Sequence, residues 1–320
     1  MNSRILKISR LGIGGIVDKE PSQNWVSSAD FKNILDSCTS ELEINYIDTA
    51  KGYLDAEEVI GIWLTEKGSH FRDKVVLGTK VGPKRKDGAM TQPLTSSYIQ
   101  ESLEESLLKL KTDYVDIYWM HIPDGVTPFE ASMLGFSACI KSGKSRSTGL
   151  CNVSAKQIEE IVSICDEKGF SRPIAVQNSF SILTALQGRA SAQKCHELGI
   201  SFMAFSPLAG GILSGKYRHG QDLPADSRWG TWSTTRGLPE YWGENMFKKV
   251  GELELLAQKM GVSVSALSLA WCLQHPLVTT TLIGPRIPSH LGSVREAIQM
   301  QEQLSEIKPL NYEKILLNPI

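Results

Sequence analysis

Hydrophobic and polar positions follow two alternating patterns along almost the whole chain of 320 residues. Short runs rich in Val, Ile, Leu, Phe and Tyr predict buried strands, and longer stretches with one apolar face predict helices. Segment 97–110 shows the second pattern clearly, because Ile99, Leu103 and Leu107 share one face while acidic residues occupy the other. The predicted strands lie near 10–15, 44–48, 75–80, 114–120, 146–150, 174–178, 201–205 and 280–283.

Predicted helices fill the intervals, and Ser28 and Ser154 are expected to cap two of them. Eight strands, each followed by helix, predict a (β/α)8 TIM barrel formed by residues 1–320 as one domain. A doubly wound sheet would instead join its first strand to a helix through G-x-G-x-x-G. The nearest stretch, residues 12–15, leads into a polar segment that contains proline. The helices are expected at 28–40, 55–67, 97–110, 129–142, 155–169, 187–198, 245–260, 264–274 and 289–303.

Segment 207–243, after the seventh predicted strand, breaks this alternation. It has no convincing periodicity, yet it contains seven glycines, three prolines and three of the seven tryptophans. Irregular segments of this length are either functional lids or disordered inserts. Disordered inserts are poor in aromatic residues. We therefore expect a long lid loop over the site.

Charge and cysteine content narrow the class of protein. The chain has 34 Lys plus Arg against 35 Asp plus Glu, which argues against a nucleic-acid partner. No apolar run approaches the length of a membrane span, and the amino terminus lacks the apolar core of a signal peptide. The six cysteines are scattered without metal-ligand spacing, so no metal is expected and they indicate reduced thiols in a cytoplasmic protein.

Four polar residues stand where three consecutive predicted strands end: Asp48, Tyr53, Lys80 and His121. Each alone has an ordinary structural explanation, such as a loop cap or a core histidine. In a barrel, however, all four would meet at the carboxyl-end face, where barrel enzymes perform their chemistry.

These side chains suit proton transfer to a substrate oxygen. A Tyr hydroxyl titrates near 10, and a neighbouring Lys ammonium favours the phenolate, so we expect the Tyr53 pKa to be lowered. Asp48 would hold Lys80 charged, and His121 would orient a carbonyl oxygen. The four residues supply no hydride, which implies a nicotinamide cofactor.

The chain resembles the aldo-keto reductases over nearly its whole length. The segments that carry the resemblance include INYIDTAKGY, VVLGTKVG, DYVDIYWMH, STGLCNVS, FSPLAGGILSGKY and TLIGPRIPSHLGSVREAI, in the order of the family. The resemblance implies the same barrel fold and makes Tyr53 the general acid/base. It implies that Lys80 and Asp48 tune Tyr53, and that His121 positions the substrate carbonyl.

The resemblance also assigns a nicotinamide site. It implies that Asn152 and Gln177 hold the carboxamide and that Phe205 stacks on the ring in place of the usual Tyr. Cys151 replaces the usual Ser and is a weaker hydrogen-bond former. The resemblance further implies that the pyrophosphate is wrapped by Ser206, Leu208, Ile212, Ser214 and Lys216.

At the adenosine end, the resemblance implies contacts from Gly284, Arg286 and His290. The planar fork of Arg286 suits a 2′-phosphate, which favours NADP while NAD stays possible. Ser293 and Val294 replace the acidic residue and the Asn that hold adenine in the family, and Val294 cannot make that hydrogen bond.

Two rival functions stay open. The first is a barrel lyase that uses Lys80 as a Schiff-base nucleophile, which would not need the amides of Asn152 and Gln177. The second is a nucleotide-binding regulatory subunit that senses redox state with little or no turnover.

Tryptophans are the predicted lining of the substrate pocket: Trp25, Trp119, Trp229 and Trp232, with Trp242 as a further candidate in the lid. Alternation along the strand would turn Trp119 to the same side as His121. An aromatic pocket suits a small-molecule carbonyl or alcohol, such as a sugar, an aromatic aldehyde or a flat heterocycle like pyridoxal. The sequence leaves the physiological substrate, the reaction direction and the oligomeric state open.

Overall fold

A computed structural model describes residues 6–19, 25–86, 89–225, 227–235 and 237–304. Eight parallel strands close into a barrel in the ring order β1-β2-β3-β4-β5-β6-β7-β8, with β8 paired back to β1. The predicted (β/α)8 TIM barrel is therefore confirmed. The strands are β1 (Leu11–Gly14), β2 (Tyr46–Asp48), β3 (Val76–Val81), β4 (Ile117–Met120), β5 (Thr148–Cys151), β6 (Ala175–Ser179), β7 (Ser201–Phe205) and β8 (Thr280–Ile283).

Helices surround this barrel and bury their apolar faces against it. Ser154 caps its helix through a complete capping box, as predicted. The first helix is capped by Ser27 and not by the predicted Ser28, whose backbone is already helical. The described helices of eight or more residues are α1 (Ser28–Ser40), α2 (Ala56–Lys67), α3 (Ser96–Leu110), α4 (Phe129–Lys141), α5 (Ala155–Lys168), α6 (Ala185–Glu197), α7 (Arg228–Thr235), α8 (Glu244–Met260), α9 (Val264–Gln274) and α10 (Leu291–Leu304).

Two aromatic side chains, Tyr46 and Trp119, fill the middle of the barrel. They fit because neighbouring strands carry glycine where they pass. A methyl group at Gly149 would lie 2.2 Å from the Trp119 ring, and one at Gly78 would lie 2.7 Å from Trp119 Nε1 and from the Tyr46 hydroxyl. The interior is thus a packed core, and only its carboxyl-end mouth is available for a site.

The long segment after β7 is more ordered than its sequence predicts. It contains a 3₁₀ stretch, Ala209–Ser214, and helix α7, neither of which the lack of sequence periodicity indicated. Trp229 is 9% exposed and packs edge-on against Trp242, with ring centroids 5.9 Å apart. Burial of these aromatic rings stabilises the segment, although its sequence shows no regular pattern of apolar residues. Its movement as a lid stays a prediction.

Two short sheets lie outside the barrel. Val17–Asp18 pairs in parallel with Val26–Ser27, and Lys84–Lys86 pairs antiparallel with Ala89–Gln92 beyond β3. In the described part of the chain, no single helix has the length and apolar composition to cross a membrane. Helices α8 and α9 meet those criteria only together, and they are bent by 94° where they meet.

Candidate active site

A cleft of about 580 Å³ opens at the carboxyl ends of the strands. Asp48 is the last residue of β2, and Lys80 lies near the end of β3. His121 and Asn152 directly follow β4 and β5. Because parallel strands end on the same side of the ring, residues distant in sequence meet at this cleft, and the predicted tetrad lies on its wall.

Asp48 and Lys80 form a buried ion pair at the base of the cleft. The Lys80 ammonium donates to Asp48 Oδ2 and to the carbonyl oxygen of Thr49 at 3.0 Å, and the lysine is 1% exposed. Burial disfavours this ammonium, but the surrounding Asp48, Tyr53 and Cys151 outweigh burial and raise the Lys80 pKa. Lys80 therefore stays charged at neutral pH, which disfavours a free amine nucleophile.

The other oxygen of Asp48 is also occupied. Asp48 Oδ1 accepts hydrogen bonds from the Tyr46 hydroxyl at 2.8 Å and from Gln177 Nε2 at 2.9 Å. Gln177 comes from β6, which faces β2 across the barrel. This carboxylate is thus fixed by donors on both sides, and it fixes Lys80 in turn.

Tyr53 lies five residues beyond Asp48, with its ring centroid 4.9 Å from Lys80 Nζ and 5.5 Å from the His121 ring. Burial raises the Tyr53 pKa, and the opposing effect of Lys80 is smaller. The expected lowering of this pKa is therefore wrong. The sequence identifies the neighbour but not the depth of burial, which is the larger cause. Tyr53 carries its proton at neutral pH.

His121 is a neutral imidazole at physiological pH. Burial and the nearby Lys80 ammonium lower its pKa to about 4, against a smaller opposite effect of Asp48. Its backbone N–H donates to the Val81 carbonyl oxygen at 2.8 Å, and its carbonyl oxygen accepts from Asn152 Nδ2 at 2.8 Å. A neutral imidazole in this position can donate one N–H to a substrate oxygen without carrying charge.

The wall of the cleft continues through Phe205 at the end of β7 and the turn that follows it. Gly210 and Gly211 have φ values of 69° and 94°, a conformation that favours glycine. A methyl group at Gly211 would lie 3.4 Å from Lys216 Nζ, so the turn and this ammonium are close together. Ser206, Leu208, Ser214 and Lys216 all line the cleft, as the sequence predicts.

At the far end of the cleft, three basic side chains gather. Burial lowers the His290 pKa, and the positive charges of Arg286 and Lys216 lower it further. His290 Nδ1 accepts the backbone N–H of Arg286 at 3.2 Å, which orients the ring. Gly284, Ser293 and Val294 also lie on this part of the wall. This arrangement favours a negatively charged group.

The two ends of the cleft match the two ends of a nicotinamide dinucleotide. The amides of Asn152 and Gln177 lie beside the buried ion pair, and Lys216 and Arg286 lie at the opposite end. The Gly210–Gly211 turn, close to Lys216, allows a close approach of backbone, which phosphate binding commonly uses. These residues could hold such a cofactor.

Several residues predicted for the site lie elsewhere. Trp119 is 0% exposed and does not line the cleft. Alternation correctly turns it inward, but it lies two residues, about 6.6 Å, deeper along the strand than His121. Ile212 is buried in the main core behind the turn and is not part of the wall.

The tryptophans of the long segment divide into lining and supporting residues. Trp232 lines the cleft. Trp25 and Trp229 do not; they pack against Trp232 with ring centroids 6.3 and 5.6 Å away. Trp242 packs against Trp229 behind this layer. Of these predicted tryptophans, Trp232 therefore lines the cleft, and the others hold it in place.

Arg228 is a cleft residue that sequence reasoning missed. It begins α7, and its guanidinium carbon lies 5.1 Å from the centroid of the Trp232 ring. A basic residue four positions before a tryptophan is a usable signal once the helix is known. Segment 207–243 showed no helical period, so that signal could not be read.

Comparison with known proteins identifies the family of this chain. The model of the Aldo/keto reductase family matches residues 10–311. A probable voltage-gated potassium channel subunit beta of Arabidopsis thaliana is 28% identical over 97% of this chain and 94% of its own. A protein of the same description from Oryza sativa subsp. japonica is 30% identical, over 87% and 84%. L-glyceraldehyde 3-phosphate reductase of Escherichia coli (strain K12) is 29% identical, over 83% and 77%. With the barrel, the cleft and a match over most of its length, this chain belongs to the aldo/keto reductase family of oxidoreductases.

Proposed function

We propose that this protein uses NADP(H) to interconvert a carbonyl compound and the corresponding alcohol. One observation carries the proposal: a protonated Tyr53, a charged Lys80 and a neutral His121 surround the same corner of the cleft, beside the amides of Asn152 and Gln177. The similarity to L-glyceraldehyde 3-phosphate reductase of Escherichia coli supports carbonyl reduction.

In the reducing direction, a nicotinamide held by Asn152 and Gln177 would supply hydride to the carbonyl carbon. His121 donates a hydrogen bond to the carbonyl oxygen and sets its orientation. Tyr53 transfers its hydroxyl proton to that oxygen as negative charge develops there. The resulting phenolate is stabilised by Lys80, whose own charge is held by Asp48. In the oxidising direction, the same residues act in reverse.

Preference for the phosphorylated cofactor rests on the basic end of the cleft. Arg286 can contact two oxygens of a 2′-phosphate at once. Lys216 contributes positive charge toward the pyrophosphate, and His290 can donate through its remaining ring nitrogen. NADH lacks the 2′-phosphate, so it would forgo the contact with Arg286.

A second candidate function is a nucleotide-binding subunit that reports redox state to a partner protein. The matches to proteins described as potassium channel beta subunits favour it, because one of them covers 97% of this chain. On this hypothesis the bound NADPH would be oxidised slowly or only once.

Stopped-flow spectroscopy separates the two functions. The protein is loaded with NADPH and mixed with a panel of aldehydes, ketones and sugars, and the first oxidation is compared with steady-state turnover under excess cofactor. A reductase gives repeated turnover on at least one substrate. Oxidation limited to one equivalent would favour the redox-sensing subunit, and no oxidation with any substrate would contradict the proposed reaction.

A further inference from the structure

A second pocket of about 330 Å³ adjoins the cleft on the far side of His121 and Asn152, which line both cavities. Its own wall includes Lys51, Lys84 and Tyr98. Gly52 also lines it, and a methyl group added there would meet no atom within 4 Å. The space is therefore open beside the corner where Tyr53 and His121 meet.

Lys51 is held firmly in this pocket. It lies between Asp48 and Tyr53 in the chain, and its backbone N–H donates to the Lys80 carbonyl oxygen at 3.1 Å. Its side chain is only 14% exposed, and Nζ donates to the buried Ser102 hydroxyl at 3.1 Å. A lysine so placed presents a fixed positive charge at the base of a pocket.

Lys84 approaches the same pocket from the opposite side. It begins the short hairpin after β3, and its ammonium lies 5.9 Å from the centroid of the Tyr98 ring. Lys51 Nζ lies 5.5 Å from the same centroid. The two ammonium groups thus share one aromatic ring, whose hydroxyl donates to the Gly82 carbonyl oxygen at 3.3 Å.

One carboxylate competes for this charge. Glu105 Oε2 lies 2.7 Å from Lys51 Nζ, but the glutamate side chain is 59% exposed and does not line the pocket. An ion pair with such an exposed partner contributes little stability. A dianion entering the pocket could therefore take over the Lys51 ammonium.

We propose that this pocket binds the phosphate of a short phosphorylated aldehyde while the carbonyl group reaches Tyr53 and His121. The proposal rests on the carbonyl reduction proposed above and names its substrate class. Two lysines suit a phosphate dianion better than a carboxylate, which carries a single charge. The cofactor leaves this pocket available, because its phosphates would lie near Lys216 and Arg286 on the other side of the tetrad.

The test compares glyceraldehyde 3-phosphate with glyceraldehyde under saturating NADPH. The measured quantity is the ratio of the two kcat/KM values. Lys84→Ala and Lys51→Met should each lower this ratio by about 10-fold or more, as expected for a lost charge-assisted hydrogen bond. Glu105→Gln should raise the ratio, because it removes the competitor for Lys51. Lys141→Ala, at the exposed end of α4, serves as the matched control.

A purely structural role for Lys51 predicts an unchanged ratio for Glu105→Gln, since loss of the tie to α3 would lower both kcat/KM values together. An unchanged ratio in the two lysine variants overturns the phosphate site. Calorimetric titration with glycerol 3-phosphate and with glycerate needs no turnover. Tighter binding of glycerol 3-phosphate than of glycerate, with the difference lost in Lys84→Ala, supports the phosphate site. This conclusion holds even if neither aldehyde is reduced, because a lack of reduction would contradict only the proposed reaction. Equal binding of both anions overturns the assignment to phosphate.

Discussion

The two ends of the cleft treat charge in opposite ways. At the barrel mouth, the Lys80 ammonium and the Asp48 carboxylate are buried against each other, so their charges cancel. At the far end, Lys216 and Arg286 lie close enough to His290 to lower its pKa. Among the described residues that line the cleft, Asp48 is the one acidic side chain. The far end therefore gathers three basic side chains, those of Lys216, Arg286 and His290.

This difference indicates which task each end performs. Tyr53 becomes negative when it gives up its proton, and the Lys80 ammonium, 4.9 Å from the centroid of the Tyr53 ring, can stabilise that charge, which suits chemistry. A gathering of basic side chains favours binding of a permanent anion, which suits recognition. Variants that disturb one end should therefore change rate or stability, and variants at the other should change affinity.

The largest effect is expected from Tyr53→Phe at the chemical end. Removing the hydroxyl removes the proton donor, so kcat for carbonyl reduction should fall by about 10²-fold or more. The NADPH dissociation constant, measured by fluorescence titration, should change little. Tyr114→Phe is the control, because its hydroxyl bonds to Asp73 on the exterior. Turnover close to that of the unmodified protein would rule out Tyr53 as the donor.

Asp48→Asn should act mainly on stability. It leaves the Lys80 ammonium buried without its counter-charge, which costs about 3–5 kcal/mol in the free energy of unfolding. Denaturant titration measures this loss. Asp166→Asn removes an exposed pair with Arg172 and should leave the unfolding midpoint nearly unchanged. Equal unfolding midpoints for Asp48→Asn and Asp166→Asn would contradict the prediction that the buried ion pair stabilises the fold.

Arg286→Ala should affect affinity alone. Loss of a charged hydrogen-bond partner should weaken NADPH binding by about 1.5–3 kcal/mol, with NADH binding little affected. Dissociation constants for both cofactors provide the measurement. Arg295→Ala is a control on the following helix, where Arg295 pairs with Glu41 on the surface. Equal weakening of both cofactors would instead place Arg286 at the pyrophosphate.

At neutral pH the smallest effect is expected for His121, because its contribution to stability changes only as the pH falls. Its pKa is about 4 in the folded chain and about 6.5 in model peptides, so the unfolded chain binds the extra proton first as pH falls. Above about pH 6.5 the buried neutral imidazole does not lower the free energy of unfolding. As the pH falls from about 6.5 toward 4, the free energy of unfolding decreases by up to about 1.4 kcal/mol per pH unit. His275, also at about 4, should add a similar slope. His121→Asn should flatten the dependence of unfolding free energy on pH, and an unchanged slope would contradict the buried neutral state.

Much of this architecture could be predicted from the sequence, because the predicted strands and helices form in the structure and the carboxyl ends of the strands define one face of the barrel. Lys80 and Asp48 could be paired from their positions at adjacent strand ends. The depth of Trp119 inside the barrel could not be predicted, because alternation along a strand gives the side to which a residue points and not its distance from the carboxyl-end mouth. The Tyr53 pKa likewise depends on packing from several strands, and Arg228 lies in a segment without a readable period.

The hydrogen bond between Gln177 and Asp48 ties the site to the order in which the barrel is assembled. Its two residues are 129 positions apart, and they face each other across the ring. A nascent chain that has not yet emerged beyond β5 has Asp48, Lys80 and His121 but lacks this brace. Long-range contacts of this kind form late, after the entropy of closing large loops has been overcome. The complete geometry of the cleft thus appears only with ring closure, which makes recovery of the site a reporter of the last stage of folding.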